Sequence, residues 1–206
     1  MTRSRTIALT TIIGLIVLIA AGVFVWTFVH AVVYAPEDAG PIPVMQAGAS
    51  PGLYQVGTSS LPSRLVIPSL GINAHIQYVG ENALGNMRAP DNFTDVAWYE
   101  YGTVPGTVGS AVIDGHVDNG LGLDGVFKHL SDIVVGADVY IETAGGATLH
   151  FKVSDIEVYP YQSVPETLFT QNDATRLNLI TCDGNWVTGG DTYDQRVVIY
   201  TRLVNP

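Results

Sequence analysis

Cysteine is almost absent from this sequence, which has one, Cys182, among its 206 residues. A single cysteine forms no internal disulfide, so a scaffold held together by disulfides is excluded. The sequence also lacks a CxxC pair and a Cys/His cluster with zinc spacing, and its carboxylates do not follow EF-hand spacing. We therefore expect one domain of ordinary size that is stabilised by an apolar core and uses no metal or cofactor.

Basic residues are also scarce, with nine Lys and Arg against 19 Asp and Glu. All 19 acidic residues follow Tyr34, whereas Arg3 and Arg5 precede it, so the balance after Tyr34 is 7 − 19, or −12. A surface this acidic repels nucleic acid phosphates, and it lacks a polybasic patch for anionic lipid headgroups. The composition predicts no nucleic acid partner.

Charge is missing altogether from Thr6 to Pro36, and residues 7–29 form an apolar run of 23 residues. At about 1.5 Å per residue, a helix of this length crosses a hydrocarbon core of about 30 Å. A cleaved signal peptide is the alternative, but its apolar region has only about 7 to 15 residues before a small-residue cleavage site. The run is longer than that, so the sequence predicts a transmembrane anchor over residues 7–34.

The charges that flank the anchor predict its orientation. Arg3 and Arg5 precede it, and Glu37 and Asp38 follow it. By the positive-inside rule, residues 1–6 are then a cytoplasmic tail, and everything after the anchor is extracytoplasmic. We expect a single-pass protein of the cell membrane.

A linker and a β-rich domain follow the anchor. Residues 35–62 carry five of the eleven prolines and show no sustained period, which is typical of an extended tether. From Ser63 onward, short β-branched runs alternate with turn residues, which predicts an all-β barrel or sandwich with short helices over residues 63–206. Alternating apolar residues make residues 138–143 and 148–153 the clearest hairpin. The predicted elements are strands near residues 64–67, 72–78, 110–114, 138–143, 148–158, 178–181 and 196–204, and a short helix within residues 121–130.

Three residues that are far apart in the sequence carry candidate chemistry, and each also has a simpler interpretation. Cys182 is predicted where a strand meets a tight turn, and the alternative is a small buried side chain. His116 follows a strand and a glycine, and the alternative is an ordinary surface-loop histidine. Arg196 opens the last strand, where pairing with a nearby aspartate is the alternative. Asp118 is close enough in sequence to accept a hydrogen bond from the His116 ring, or it is simply solvated.

Together these residue types form a set suited to acyl transfer. A thiol acts as the nucleophile, an imidazole exchanges protons, and the fixed donors of a guanidinium stabilise negative charge on a carbonyl oxygen. Each residue alone is weak evidence, so the prediction depends on the three meeting at one site.

The sequence around the cysteine resembles a known signature. Residues 179–182, Leu-Ile-Thr-Cys, resemble the TLxTC signature of sortases, with Asn178 where Thr is usual. The resemblance covers residues 63–204 and includes the strand-Gly-His pattern at His116. The order and spacing also agree, with 66 residues from His116 to Cys182 and 14 from Cys182 to Arg196. The Gly-His-Val-Asp form at residues 115–118 is most like class F sortases.

The resemblance implies an eight-stranded β-barrel, preceded here by the anchor helix, and a cysteine transpeptidase activity. Cys182, His116 and Arg196 are then catalytic, Thr181 binds substrate, and Asp118 supports the site. The implied substrates are LPxTG-type peptides, cleaved between Thr and Gly through a thioester and transferred to a cell-wall amine. Residues 161–173 occupy the position of the loop that builds the sortase Leu-Pro pocket.

Two other classes of thiol enzyme fit less well. NlpC/P60-like peptidases place Cys before His, the reverse of the order here, and L,D-transpeptidases need a Ser-His-Gly-Cys-type motif that is absent. A non-enzymatic, membrane-tethered β-barrel that binds cell-wall or partner peptides is the alternative function. It predicts that Cys182→Ala leaves function intact.

Overall fold

The computed structural model describes residues 2–33, 60–119, 121–189 and 192–204. Contacts divide the chain into two units, residues 1–34 and residues 35–206. Residues 35–59 of the predicted linker lie outside the described residues.

The first unit is one long helix, α1, from Thr2 to Val33. It begins before the predicted anchor and takes in residues of the predicted tail. Its segment Ile12–His30 has a mean hydropathy of 2.7 over 19 residues, and none of that segment is buried against protein. At about 1.5 Å per residue the segment is long enough to cross a bilayer.

The second unit is a closed β-barrel of eight strands, with the order β1-β2-β3-β4-β7-β8-β6-β5 around the barrel. Pairing of β1 with β5 closes it. Among the described residues its helices are short: two 3-10 turns at Pro68–Leu70 and Leu130–Asp132, and α2 at Thr167–Thr170. The strands are β1 Pro62–Ile67, β2 Ile72–Val79, β3 Val96–Tyr99, β4 Gly109–Asp114, β5 Asp138–Thr143, β6 Thr148–Pro160, β7 Thr175–Val187 and β8 Thr192–Leu203. The predicted all-β barrel is confirmed.

Apolar side chains of the barrel form two separate clusters because successive residues of a strand point to opposite faces. The inner core fills the barrel and includes Leu65, Ile67, Trp98, Ile113, Phe127, Ile141, Phe151, Leu177, Leu179, Val197 and Ile199. The outer cluster lies on the opposite faces of β2, β3, β4, β7 and β8 and comprises Val79, Met87, Ala97, Tyr99, Val112, Leu168, Ile180 and Val198.

Several predicted elements differ from the structure in instructive ways. The sequence did not predict β3, because all four of its residues are buried and it shows no alternation of apolar and polar positions. The predicted helix within residues 121–130 is wrong: turns occupy that segment, and a 3-10 turn begins only at Leu130. The predicted hairpin is confirmed by the antiparallel pairing of β5 with β6.

The predicted ends of the last two strands were also wrong. β7 continues past Cys182 to Val187, and β8 begins at Thr192 rather than at Arg196. A register shift between Asp183 and Trp186 lets the β7–β8 ladder continue through the predicted turn. Cys182 and Arg196 therefore lie inside a hairpin and not at strand ends.

Candidate active site

Parallel pairing of β4 with β7 places the histidine and the cysteine side by side. The ladder ends with Asp114 opposite Ile180. One residue further, the Thr181 hydroxyl donates a hydrogen bond of 2.7 Å to the Gly115 carbonyl oxygen, which continues the alignment. His116 and Cys182 are the next residues of the two segments, so the backbone of His116 lies beside that of Cys182.

Antiparallel pairing of β7 with β8 adds the arginine. Cys182 and Arg196 are direct partners in this ladder. Side chains of directly opposed residues project from the same face of a sheet. Ile180 and Val198, two residues away on each strand, belong to the outer cluster, so this shared face is the outer one. The partly exposed thiol and the guanidinium therefore share a surface that the inner core does not reach.

His116 is buried, with 7% of its surface exposed. Its Nε2 lies 2.9 Å from the Pro90 carbonyl oxygen, and its ring centroid is 5.0 Å from that of Phe93. A carbonyl oxygen only accepts hydrogen bonds, so Nε2 carries the proton of this contact. In a neutral ring, Nδ1 is then the nitrogen that carries no proton.

Two glycines permit the tight backbone around His116. A Cβ on Gly125 would collide with the His116 carbonyl oxygen, and one on Gly115 would lie 2.6 Å from the Phe127 ring. The amide N–H of Phe127 in turn donates to the His116 carbonyl oxygen at 2.9 Å. The segment after β4 therefore folds against the ring of Phe127, whose side chain is in the inner core.

Arg196 is almost completely buried, at 2% exposure, and its guanidinium is held by its own strand. Nη1 donates to the carbonyl oxygens of Gln195 and Tyr193 at 2.8 and 3.1 Å, and Nη2 donates to Thr192 Oγ1 at 2.8 Å. The carbon Cζ also lies 5.9 Å from the centroid of the Tyr161 ring. These contacts fix the plane of the guanidinium before any substrate arrives.

Asp118 and Thr181 make contacts that the sequence did not specify. Asp118 Oδ2 accepts a hydrogen bond of 2.5 Å from the Tyr193 hydroxyl and lies 3.8 Å from Lys128 Nζ. Its predicted bond to the His116 ring stays a prediction. Thr181 is buried, and its hydroxyl donates to the Gly115 carbonyl oxygen. Its predicted role in substrate binding also stays a prediction.

The loop predicted as a Leu-Pro pocket covers the outer cluster. Leu168 of α2 is fully buried in that cluster, and Val164 and Phe169 pack against it. Asn178, the departure from the sortase signature, donates from Nδ2 to the Leu168 carbonyl oxygen at 2.7 Å. The amide of Asn178 therefore anchors α2 over the strand that carries Cys182.

The structure pairs Cys182 with Arg196 and places the segment that carries His116 next to Cys182, while the catalytic roles of the three residues stay predictions. Sequence reasoning missed Pro90 and Tyr193, which contact one and two of the predicted site residues, and it included Tyr161 only as part of the loop at residues 161–173. Pro90 lies in a loop without a chemical motif, and only the barrel topology brings it to the site. Tyr193 had a weak signal, since it lies three residues before Arg196 in the same strand.

Comparison with known folds gives a consistent result. Sortase A from Corynebacterium diphtheriae superposes with a TM-score of 0.55 at 20% identity, over 74% of this chain and 64% of that one. Sortase C-1 from Actinomyces oris gives 0.52 at 24% identity, over 70% and 73%. A Clostridium perfringens sortase D5 gives 0.52 at 20% identity, over 70% and 79%. A comparison with curated proteins finds no match.

A family model assigns the barrel directly. The model of the sortase domain matches residues 65–204, which is more than half of the chain and includes every predicted site residue. The closed eight-stranded barrel and the shared outer face of β4, β7 and β8 agree with that match. The chain therefore belongs to the sortase family.

Proposed function

We propose that this sortase is a membrane-anchored transpeptidase that cleaves an LPxTG-type signal between Thr and Gly and transfers the new acyl group to a cell-wall amine. The family consists of cysteine transpeptidases that anchor proteins to the cell wall. One observation supports the proposal for this chain: Cys182 is paired with Arg196 on the outer face, and the Thr181–Gly115 hydrogen bond brings the segment that carries His116 alongside Cys182.

The first half of the reaction forms a thioester. Cys182 Sγ attacks the carbonyl carbon of the substrate threonine as the thiolate, and its proton resides on His116. When the carbon–nitrogen bond to glycine breaks, His116 returns that proton to the departing amine. The Nε2 contact with the Pro90 carbonyl favours Nδ1 as the nitrogen that moves the proton.

The second half resolves the thioester. An acceptor amine attacks the thioester carbonyl, His116 takes a proton from the attacking nitrogen, and the carbon–sulfur bond breaks to release the Cys182 thiolate. Water in place of the amine gives hydrolysis, so the same site acts as an endopeptidase when no amine is present.

Arg196 stabilises the oxyanion that forms at the carbonyl in both halves or positions the peptide. Its fixed guanidinium shares a face with Cys182, so its remaining donors need no rearrangement during the reaction. Val164 and Phe169, which are partly exposed and pack on the outer cluster, supply the apolar surface for the Leu-Pro part of the signal.

The membrane anchor and the subclass belong to the same proposal. The apolar helix α1 supports an anchor, and the flanking charges of the sequence support a cytoplasmic N-terminus with the barrel outside. Residues 35–62 then act as a tether that holds the barrel away from the bilayer. The Gly-His-Val-Asp sequence at residues 115–118 supports class F.

The proposal is tested with the full-length chain in detergent, a fluorescent LPxTG peptide and an amine acceptor such as triglycine. We expect a transpeptidation product that joins the Thr carbonyl to the acceptor, detected by liquid chromatography and mass spectrometry. A peptide with the same residues in scrambled order is the control and should stay intact. Binding of the LPxTG peptide without cleavage, to a folded protein, would favour the non-enzymatic barrel instead.

A further inference from the structure

Tyr193 connects β8 to the segment that carries His116. Its hydroxyl donates a hydrogen bond of 2.5 Å to Asp118 Oδ2, across 75 residues of sequence. Asp118 lies two residues after His116, and Lys128 Nζ is 3.8 Å from the same carboxylate oxygen. The bond therefore joins a neutral donor to a charged acceptor, which is the stronger kind of hydrogen bond.

Tyr193 also contacts Arg196. Its carbonyl oxygen accepts a hydrogen bond from Arg196 Nη1 at 3.1 Å. Burial, the bond to Asp118 and the nearby Cys182 together raise the pKa of Tyr193, so the phenol keeps its proton at neutral pH and stays a donor. The ring packs edge-on against Trp186, its partner in the β7–β8 ladder, with centroids 5.3 Å apart.

The segment after His116 is closed on itself by its own backbone. The amide of Asn119 donates to the Leu123 carbonyl oxygen at 2.9 Å, and that of Gly125 to the Val117 carbonyl oxygen at 3.0 Å. These hydrogen bonds make the segment compact. The Tyr193–Asp118 bond attaches this unit to the hairpin that carries Cys182 and Arg196.

We propose that Tyr193 is a positioning residue for this reaction: its hydroxyl, bound to Asp118, holds His116 at the correct distance from Cys182. Because proton transfer depends on placement within about 1 Å, loss of the bond should affect the chemical steps more than substrate binding. The inference rests on the proposed function for its kinetic test, and a second measurement below is independent of that function.

The first test is Tyr193→Phe, which removes the hydroxyl and retains the ring against Trp186. We expect kcat for LPxTG transpeptidation to fall by about ten- to a hundredfold, as for other bonds to charged groups, with KM changed less than about twofold. Tyr78→Phe is the matched control. The Tyr78 hydroxyl also donates a bond, 2.6 Å to the Pro62 carbonyl oxygen, and its ring packs edge-on against Trp98 at 5.3 Å, but on β2. An unchanged kcat in Tyr193→Phe, or an equal loss in the control, would overturn the proposal.

A double-mutant cycle separates the bond from other roles of the two residues. Asp118→Ala should lower kcat about as much as Tyr193→Phe, and the double variant should be little worse than either single variant. Asp118→Asn keeps an oxygen that accepts the phenol proton, so it should recover most of the lost kcat. Additive losses, or no recovery in Asp118→Asn, would mean that the bond does not position His116.

Hydrogen exchange measured on the substrate-free chain tests the Tyr193–Asp118 contact without any sorting signal. We expect faster amide exchange in Tyr193→Phe only in the peptide that covers residues 116–127, with no change in β5 and β6. If the wild type lacks transpeptidase activity but this difference is present, the proposed function fails and the positioning contact stands. If exchange in that peptide is the same in both proteins, the positioning role is wrong.

Discussion

The two faces of β4, β7 and β8 differ sharply in what they carry, although the same strands build both. Toward the barrel interior, these strands present mainly apolar side chains to the inner core: Ala111, Ile113, Leu177, Leu179, Val197 and Ile199. Toward the outside they mix apolar residues of the outer cluster with buried polar ones: Asp114, Asn178 and Arg196. The inner face requires apolar side chains of the right volume, whereas the outer face requires particular functional groups.

The sortase signature shows this division within four residues. Leu179 and Thr181 point inward, and Ile180 and Cys182 point outward. Because side chains alternate with a period of two, a slip of one residue in the β7 register would bury the thiol. The Thr181 bond to Gly115 opposes such a slip on the inner side. The fold and the nucleophile are thus set by the same register.

The largest effect is expected on the outer face, at Cys182. Cys182→Ala removes the nucleophile, so turnover of an LPxTG peptide should fall by at least about 10⁴-fold. The side chain is small and partly exposed, so the free energy of unfolding should change by less than about 1 kcal/mol. Product analysis and urea denaturation measure the two quantities. Activity retained near the wild-type level would mean that the outer face has no thiol chemistry.

Arg196→Lys should have the next largest effect. A lysine carries the charge but not the planar fork of donors, so we expect kcat to fall by about 10²- to 10³-fold. Arg202→Lys is the matched control, since Arg202 lies on the same strand and is exposed. It should retain the wild-type rate. Equal rates for both variants would remove Arg196 from the mechanism.

An inner-face change should alter stability without altering chemistry. Leu179 is fully buried, and Leu179→Ala leaves a cavity that typically costs about 2 to 5 kcal/mol of unfolding free energy. We expect KM and the rate per folded molecule to stay near wild type at low temperature. A large rise in KM in a folded Leu179→Ala protein would show that the two faces are not independent.

A substitution in the loop over the outer cluster should have a smaller effect, confined to KM for the substrate. Phe169 packs on the outer cluster and lies edge-on to Tyr99, with centroids 5.6 Å apart. Phe169→Ala should raise KM for an LPxTG peptide by about tenfold, which corresponds to the loss of one apolar side chain from the contact. Steady-state kinetics check this, and an unchanged KM would place the Leu-Pro site elsewhere.

The smallest effect is expected on the pH dependence of stability, at Asp173, the last residue of the loop at residues 161–173. Two hydrogen bonds from the buried Arg176 guanidinium hold the pKa of Asp173 below its ordinary value of 3.8. A lowered pKa in the folded state adds stability above the ordinary pKa, and this stability is lost as the pH falls through the folded value. The melting temperature of Asp173→Asn should therefore be slightly below that of the wild type at neutral pH, and the difference should disappear in acid. A difference in melting temperature that does not change with pH would contradict the ion pair.

The sequence predicted the inner face better than the outer one, for a physical reason. The hairpin of β5 and β6 was predictable because Val139 and Ile141 alternate with more polar neighbours. β3 was not predictable, because its short, wholly buried run has no period. On the outer face, residue chemistry and the sortase resemblance predicted site roles for Cys182, His116 and Arg196, and these roles stay predictions. Tyr193 and Pro90 were missed because strand order, which no local pattern encodes, brings them to the site.

The central claim is that the outer-face thiol of Cys182 becomes acylated by a sorting signal. Its most direct test is the intact mass of the full-length chain after brief incubation with an LPxTG peptide and an acid quench. We predict an added mass equal to the peptide acyl group ending at Thr, removable by hydroxylamine and absent in Cys182→Ala. Two results would contradict the claim: cleavage of the peptide by the folded wild-type chain without this adduct, or formation of the adduct to the same extent in Cys182→Ala.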